Sequence, residues 1–439
     1  MAQLSLNLDY EDLFDQVCTV AQLRCAFHAV RRNGGASGVD GVSIADYEKD
    51  LDANLLLLSR SLRDWSYKPQ PVKRVKIPKP GSTKKRILGI PCVCDRVVQT
   101  SLKQCLEPIF DPLFSESSFG FRPGRSQGDA LQQAKRLVNS GLEWVVDIDL
   151  ATFFDTINHD RLIHLVRRQV PDKRILRLIG TTLRSGAIED GCLVVTEEGS
   201  VQGSPLSPLL SNIVLHEFDE ELERRGLSFC RFADDCNVFV GSERSAKRVL
   251  ASLTRFIEGR LKLTVNRTKS QATHSERVKF LGMTLIFGML TISSVSLHRG
   301  LDKVRELVPR RTHTPLEEQI ATVNRWYRGW SSYYGMTEFP SQLARVEARI
   351  RLRFRLQFIS NQKRRRYLLR CLQRRGIRKG TAYRALYAKH KNDKWWVIAH
   401  SFVAGNAWPN RWFSEQGLHT TSDDYRRHWH PLNSIVKLT

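Results

Sequence analysis

No apolar run in this 439-residue chain approaches the roughly twenty residues that a membrane-spanning helix needs, so no span is expected. The opening residues, MAQLSLNLDYEDLF, lack a basic stretch leading into an apolar one, which argues against an export leader and for a cytoplasmic protein. The nine cysteines are an odd number without a single C-x-x-C pair, Cys92 and Cys94 being the nearest neighbours. Neither a disulfide framework nor a zinc knuckle is expected from such spacing. There is no internal repeat and no low-complexity tract. The most telling shortage is of acid: residues 351–390 hold 14 lysines and arginines and no aspartate or glutamate.

That shortage is part of a wider asymmetry. The net charge is +24 and the isoelectric point is near 9.9. Residues 301–439 carry +18 of it, with 28 basic against 10 acidic residues. Solubility does not require such a field, which attracts a polyanion and makes its binding salt-dependent. Nucleic acid is the expected partner. A membrane surface is not, because the basic stretch shows no large lipid-inserting apolar face.

A hydrophobic content of 41% and a mean hydropathy of -0.34 suit a globular chain long enough for two or three domains. Residues 1–30 read as an amphipathic helical lead-in, followed by the glycine-dense loop Asn33–Gly41, which is either a phosphate-approaching backbone or a linker. Val72–Lys79 alternates apolar and basic residues, Pro80-Gly81-Ser82 turns the chain, and Lys84–Ile90 returns as a second strand. Helices are expected over 93–115 and 127–139, and a buried strand over Glu143–Leu150. A further helix follows Pro205, with Leu209, Leu210, Ile213, Val214, Phe218 and Leu222 on its inward face at a period of 3.6. Beyond residue 300 the chain is basic, aromatic and mostly helical, with a boundary expected near 290–315.

The chemistry concentrates in Arg231-Phe232-Ala233-Asp234-Asp235-Cys236. The flanks are rich in β-formers, so the segment reads as strand, tight turn and strand with the acidic pair at the tip. Adjacent carboxylates repel unless a cation stands between them, and magnesium prefers such oxygen ligands. A two-metal phosphoryl-transfer site needs a third carboxylate from another strand. Asp147 and Asp149, two apart on one strand face, are both candidates, and spacing does not choose between them. Strand carboxylate, helix and Asp-Asp hairpin follow in the order of a polymerase palm.

From about residue 30 to about residue 419 the chain resembles the bacterial group II intron reverse transcriptase/maturases. The resemblance lies in GGASGVDGV, RVKIPKPGSTKKRILGIP, DRVVQ, SFGFRPGRS, VVDIDLATFFDTINHDRL, QGSPLSPLLSNIVL, RFADD, LTVNRTK and FLGMTL, then in NRWYRGWSSYY and NAWPNRWFSEQGL. It implies an α+β right-hand polymerase, with fingers and an antiparallel palm over 31–300 and an N-terminal helical extension over 1–30. A helical thumb and maturase region would follow over 301–419, then a tail over 420–439. It makes Asp149, Asp234 and Asp235 the catalytic carboxylates, holding two magnesium ions with the Leu150 carbonyl. Lys79 and Arg86 match residues that hold the incoming triphosphate. Phe153 or Phe154 would lie against the deoxyribose and exclude a 2′-hydroxyl, Gln202 would lie near the nucleotide sugar, and Lys269 would stand beside the acidic cluster. Departures from the family pattern are QGSP for a motif with a second glycine, alanine-preceding Phe232 where tyrosine is common, and Ala151-Thr152 for charged residues. None removes a carboxylate.

In Asn324–Tyr334 arginines alternate with aromatics, a pairing that suits phosphate contacts and base stacking. Helical spacing expects Trp326, Trp330, Tyr333 and Tyr334 to be buried and leaves Arg325 and Arg328 for RNA, together with Lys363, Arg364, Arg365 and Arg366. The resemblance implies dNTPs, an RNA template with a DNA primer, group II intron RNA and target DNA as partners, within a nucleoid-associated ribonucleoprotein. No Cys-pair/His-Asn signature of an HNH nuclease occurs after Gly417. Two other readings share the motifs: a host-adapted enzyme of defence or repair, and a splicing-only RNA-binding maturase.

Overall fold

A computed structural model describes residues 12–78, 85–189, 192–194, 199, 203–362, 364–387 and 395–421. Lys79, Gln202 and Lys363 lie outside the described residues, as does the side chain of Arg86. The chain forms two units, Met1–Val278 and Lys279–Thr439.

The first unit opens with α1 (Leu13–Cys18), α2 (Val20–Asn33), α3 (Ile44–Lys49) and α4 (Leu51–Arg63). Thr19 and Ser43 cap α2 and α3 by accepting from backbone amides, which satisfies donors that a helix start leaves orphaned. Residues 13–18 and 20–33 are helical, as their pattern requires, but they do not stand apart as an extension. Leu13, Phe14, Val17, Leu23 and Phe27 share one core with Val146 and Ile148.

Strands β1 (Val72–Pro78) and β2 (Lys85–Ile90) pair antiparallel, from Lys73 opposite Ile90 to Pro78 opposite Lys85. Two three-residue strands, β4 (Ala187–Glu189) and β5 (Cys192–Val194), extend this sheet in the order β2-β1-β4-β5, with β1 and β4 parallel. A second sheet, β6-β7-β3-β8, is wholly antiparallel: β3 is Trp144–Ile148, β6 Ser228–Phe232, β7 Asp235–Val240 and β8 Gln271–His274. One face of β3 and β7 sends Val146, Ile148, Cys236 and Val238 into the core. The period of two turns the alternate residues the other way.

Helices α5 (Val93–Phe110), α6 (Gln127–Asn139), α7 (His159–Gln169), α8 (Lys173–Leu183), α9 (Ser207–Arg224) and α10 (Glu243–Phe256) complete the unit. Ser126 and Asp129 form a reciprocal capping box at the start of α6. All six expected inward residues of α9 are buried. The glycine loop before α3 is held down by Arg96, whose Nη2 donates to the Ala36 carbonyl at 2.6 Å. A Cβ at Gly38 would stand 2.7 Å from the Cys92 backbone. Close packing therefore accounts for Gly38.

The second unit begins with the hairpin β9 (Met283–Ile286) and β10 (Met289–Ile292). The unit boundary thus falls ahead of the one expected near 290–315. The reason is hydrogen bonding: the Leu290 amide donates to Glu338 Oε2 at 2.7 Å, and the Ile292 amide to Gln342 Oε1 at 2.8 Å. The helices are α11 (Ser294–Leu307), α12 (Leu316–Tyr334), α13 (Pro340–Ser360), α14 (Arg365–Arg374), α15 (Lys379–Tyr387), α16 (Phe402–Ala407) and α17 (Asn410–Glu415). Phe354, Phe358, Trp408 and Phe413 form an aromatic cluster between α13 and the last helices. Among the described residues no helix is long and apolar enough to cross a membrane.

Candidate active site

The Asp-Asp pair lies where β6 turns into β7. Phe232 pairs with Asp235, so Ala233 and Asp234 alone make the loop. Ala233 takes φ +58°, a left-handed conformation that costs a non-glycine residue about 1–2 kcal/mol. The surroundings hold it there. Phe119 donates its amide to the Arg231 carbonyl, and Arg231 donates its own to the Ser117 carbonyl, both at 2.9 Å. A Cβ on Gly120 would lie 2.2 Å from the Ala233 nitrogen, so the SFGF loop passes so close that only glycine fits.

Beneath the turn is a buried polar network. Arg231 is fully buried; its Nε donates to Asp219 Oδ1 at 2.7 Å and its Nη2 to Asp219 Oδ2 at 2.5 Å. Its Nη1 reaches the Ala233 carbonyl at 2.9 Å and Asn212 Oδ1 at 3.0 Å, while Asn212 Nδ2 donates to the Gly120 carbonyl at 2.9 Å. Burial works to raise the Asp219 carboxyl and the facing guanidinium to lower it. Two short bonds to a group that stays charged keep the carboxylate ionised. Arg231, Asp219 and Asn212 carried no role in the sequence reading. The only local signal was an arginine beside the motif, because its partner lies twelve residues away on α9.

Asp149 follows the last residue of β3. Ile148 pairs with Cys236, so one further step brings Asp149 opposite Asp235. Asp147, Asp149, Asp235 and Asn237 consequently share one face of the sheet. The Asp149 backbone is fixed on both sides: its amide donates to Ser270 Oγ at 3.0 Å, and its carbonyl accepts from the Asn266 amide at 2.8 Å. The bridge between Leu150 and Val265 runs through the Asp149 carbonyl and the Ala151 amide, so the Leu150 carbonyl turns away from that strand. Lys269 Nζ stands 2.9 Å from Asp149 Oδ2. That oxygen is buried and makes no hydrogen bond of good geometry, so the contact is an ion pair only.

Asp147 is the other strand carboxylate. Burial, then the charge of Asp235, push it up to about 6, against a hydrogen bond from Gln271. Among the described residues no three carboxylate, histidine or cysteine side chains already converge into a ready-made ion cage.

The remaining expected residues are dispersed. Phe153 is buried and Phe154 half-buried, their rings edge to face at 5.3 Å. Arg86 sits on β2 opposite Ile77. In the second unit Arg325, Arg328, Arg364 and Arg366 are exposed and Arg365 is half-buried. The expected burial of Trp326, Trp330, Tyr333 and Tyr334 is only partial, and the fully buried aromatic is Tyr327. Its hydroxyl donates to Glu347 Oε1 at 2.9 Å, which removes the cost of burying a phenol.

A family model described as "Reverse transcriptase (RNA-dependent DNA polymerase)" matches residues 77–285, and one described as "Group II intron, maturase-specific domain" matches residues 297–378. Protein YkfC of Escherichia coli (strain K12) is 35% identical over 288 residues, 57% of this chain and 75% of its own length. Group II intron-encoded protein LtrA of Lactococcus lactis subsp. cremoris is 37% identical over 206 residues, 47% of this chain and 34% of its own length. Among solved structures, a partial Cas6-RT-Cas1–Cas2 complex has a TM-score of 0.37 and 23% identity, covering 56% of this chain and 42% of that one. The chain therefore spans three quarters of the first of these relatives and about a third of the second.

Proposed function

The chain belongs to the reverse transcriptases that carry a group II intron maturase-specific domain, and from that premise we propose that it copies RNA into DNA at Asp149, Asp234 and Asp235. The observation that carries the reading is the register of β3 and β7, which sets Asp149 opposite Asp235 beside the turn that holds Asp234.

The family uses divalent metal ions, and we assign two magnesium ions to this site. The donors fit: carboxylate oxygens suit a hard cation, and Asp149 Oδ2 is buried without a hydrogen bond. Asp149, Asp234 and Asp235, with the Leu150 carbonyl, would hold the ions, which acidify a primer 3′-hydroxyl and neutralise the leaving pyrophosphate when bound. Lys269 meanwhile balances the charge of Asp149. Lys79 and Arg86 would grip the dNTP triphosphate. Gln202 would lie by its sugar.

The maturase region would bind the parent intron RNA, with Arg325, Arg328, Lys363, Arg364, Arg365 and Arg366 on its phosphates. Splicing of that RNA, and its reverse transcription at a DNA target during retrohoming, are the tasks this arrangement serves. A bacterial nucleoid-associated ribonucleoprotein would be their setting.

Purified full-length protein is expected to extend a DNA primer on an RNA template with magnesium and dNTPs. Asp234→Ala removes several kcal/mol of transition-state stabilisation, so extension should fall by roughly 10³-fold or more while RNA binding persists. Full extension by Asp234→Ala would sink the site assignment.

A further inference from the structure

The second half of α15 carries two tyrosines that the polymerase site does not use. Tyr383 and Tyr387, one helical turn apart, stack with ring centroids 4.4 Å apart and an interplanar angle of 28°. The Arg365 guanidinium, from the start of α14, lies over the Tyr387 ring at 5.7 Å. Buried aromatic pairs are ordinary core, but this one is not buried. Tyr383 is 53% and Tyr387 42% exposed. Nearby on α14, Tyr367 is 42% exposed, and the Arg366 guanidinium lies 5.0 Å from its ring centroid. The inward positions of the two helices are filled instead by Leu368, Leu372, Ala382 and Leu386, so the fold has no packing use for these rings.

The charge around them has one sign. No aspartate or glutamate occurs between Glu347 and Asp393, whereas Arg366, Arg370, Arg374 and Arg384 are exposed on the same two helices. Exposed aromatic rings set among arginines match a strand whose bases stack while its phosphates are neutralised. An acidic protein would use the charges but not the open ring faces. A duplex would use the charges too, but its bases are already stacked on each other.

We propose that Tyr383 and Tyr387, backed by Arg365, form a stacking platform that captures an unpaired base of single-stranded RNA. The proposal deepens the reading of the second unit as RNA-binding and rests on it. Folded RNA presents loops and bulges whose bases are free to be taken up in this way. Tyr387 is covered by Tyr383 and Arg365, so Tyr383 is the ring that receives the base. Arg366 and Arg370 take the adjoining phosphates.

The test uses the full chain and two RNAs of equal length, a hairpin with 2-aminopurine in its loop and a blunt duplex. The parent should bind the hairpin more tightly and quench the loop fluorophore. One base–aromatic stack is worth roughly 5- to 100-fold in affinity by alanine substitution. Tyr383→Ala should therefore lose that factor on the hairpin, together with the quenching, and leave the duplex within about twofold. Tyr383→Phe should behave as the parent, and extension of an annealed primer should be unchanged in both variants. Equal hairpin binding by Tyr383→Ala and parent would overturn the platform, as would equal loss on both RNAs. Tighter binding of the matching DNA hairpin would overturn the assignment to RNA. A parent that binds no RNA would instead overturn the maturase reading itself, and the two failures are distinguishable.

Discussion

Two adjacent phenylalanines after β3 differ in burial, and the difference follows from backbone geometry. Thr152 takes φ +47°, and the short 3-10 turn Phe153–Asp155 that follows sends successive side chains in different directions. Phe153 enters the core at 3% exposure, and Phe154 stays half-buried on the same turn, five residues after Asp149. Either ring could have been the sugar contact from sequence alone. Burial favours Phe154, because a ring committed to the core cannot also meet a nucleotide. Phe154→Ala should relax discrimination against ribonucleotides by roughly tenfold or more, as expected when one side-chain contact decides between substrates. Phe153→Ala should leave selectivity alone and cost about 3–5 kcal/mol of stability. Incorporation of ribonucleotides and deoxynucleotides by both variants, with their denaturation midpoints, checks the division. Unchanged selectivity in Phe154→Ala would refute it.

At the scale of the element, the β6–β7 hairpin depends on a charge pair that no local pattern announces. Arg231 and Asp219 are both completely buried, so each is tolerated only because of the other. Asp219→Ala removes the buried partner of the guanidinium beneath the turn and should destabilise the protein by about 3–5 kcal/mol. Replacing both, as Arg231→Met with Asp219→Leu, should recover most of that stability. Activity should stay low, because the bond from Arg231 to the Ala233 carbonyl is gone. Unfolding by denaturant and primer extension on the same preparations check this. Full activity in the double variant would show that the turn needs no such prop. The inward face of α9 and the β1–β2 and β6–β7 hairpins follow from periodicity and turn chemistry, and were legible. Partners distant in sequence were not. The parallel pairing of β1 with β4, the Arg231–Asp219 bond and the burial of Tyr327 against Glu347 each join residues whose meeting depends on the whole fold.

At the scale of the molecule, the two parts of the chain differ in charge more than in size. Residues 301–439 carry +18 and residues 1–300 only +6. In the first unit many basic groups answer a nearby carboxylate, as in Arg174 with Asp172 and Asp15, or Arg74 and Lys76 with Glu189. In the second unit the stretch 351–390 holds no carboxylate of its own, although Arg351 at its start meets Glu347. Its charge therefore serves to displace the counterions of a polyanion, a gain that vanishes as salt rises. The chemistry proposed at Asp149, Asp234 and Asp235 should have no such dependence once the template is in place. RNA affinity should consequently fall by about 10³-fold or more between roughly 50 and 200 mM salt, as for a protein making six to ten phosphate contacts. Single-turnover extension from a preformed complex should change by no more than about twofold over the same interval, since screening acts mainly on exposed charges. Titrations of labelled RNA and rapid-mixing extension across that range separate the two quantities. An affinity indifferent to salt would mean that the basic region does not hold the RNA, whereas a matching fall in the bound-state rate would mean that it also takes part in the chemical step.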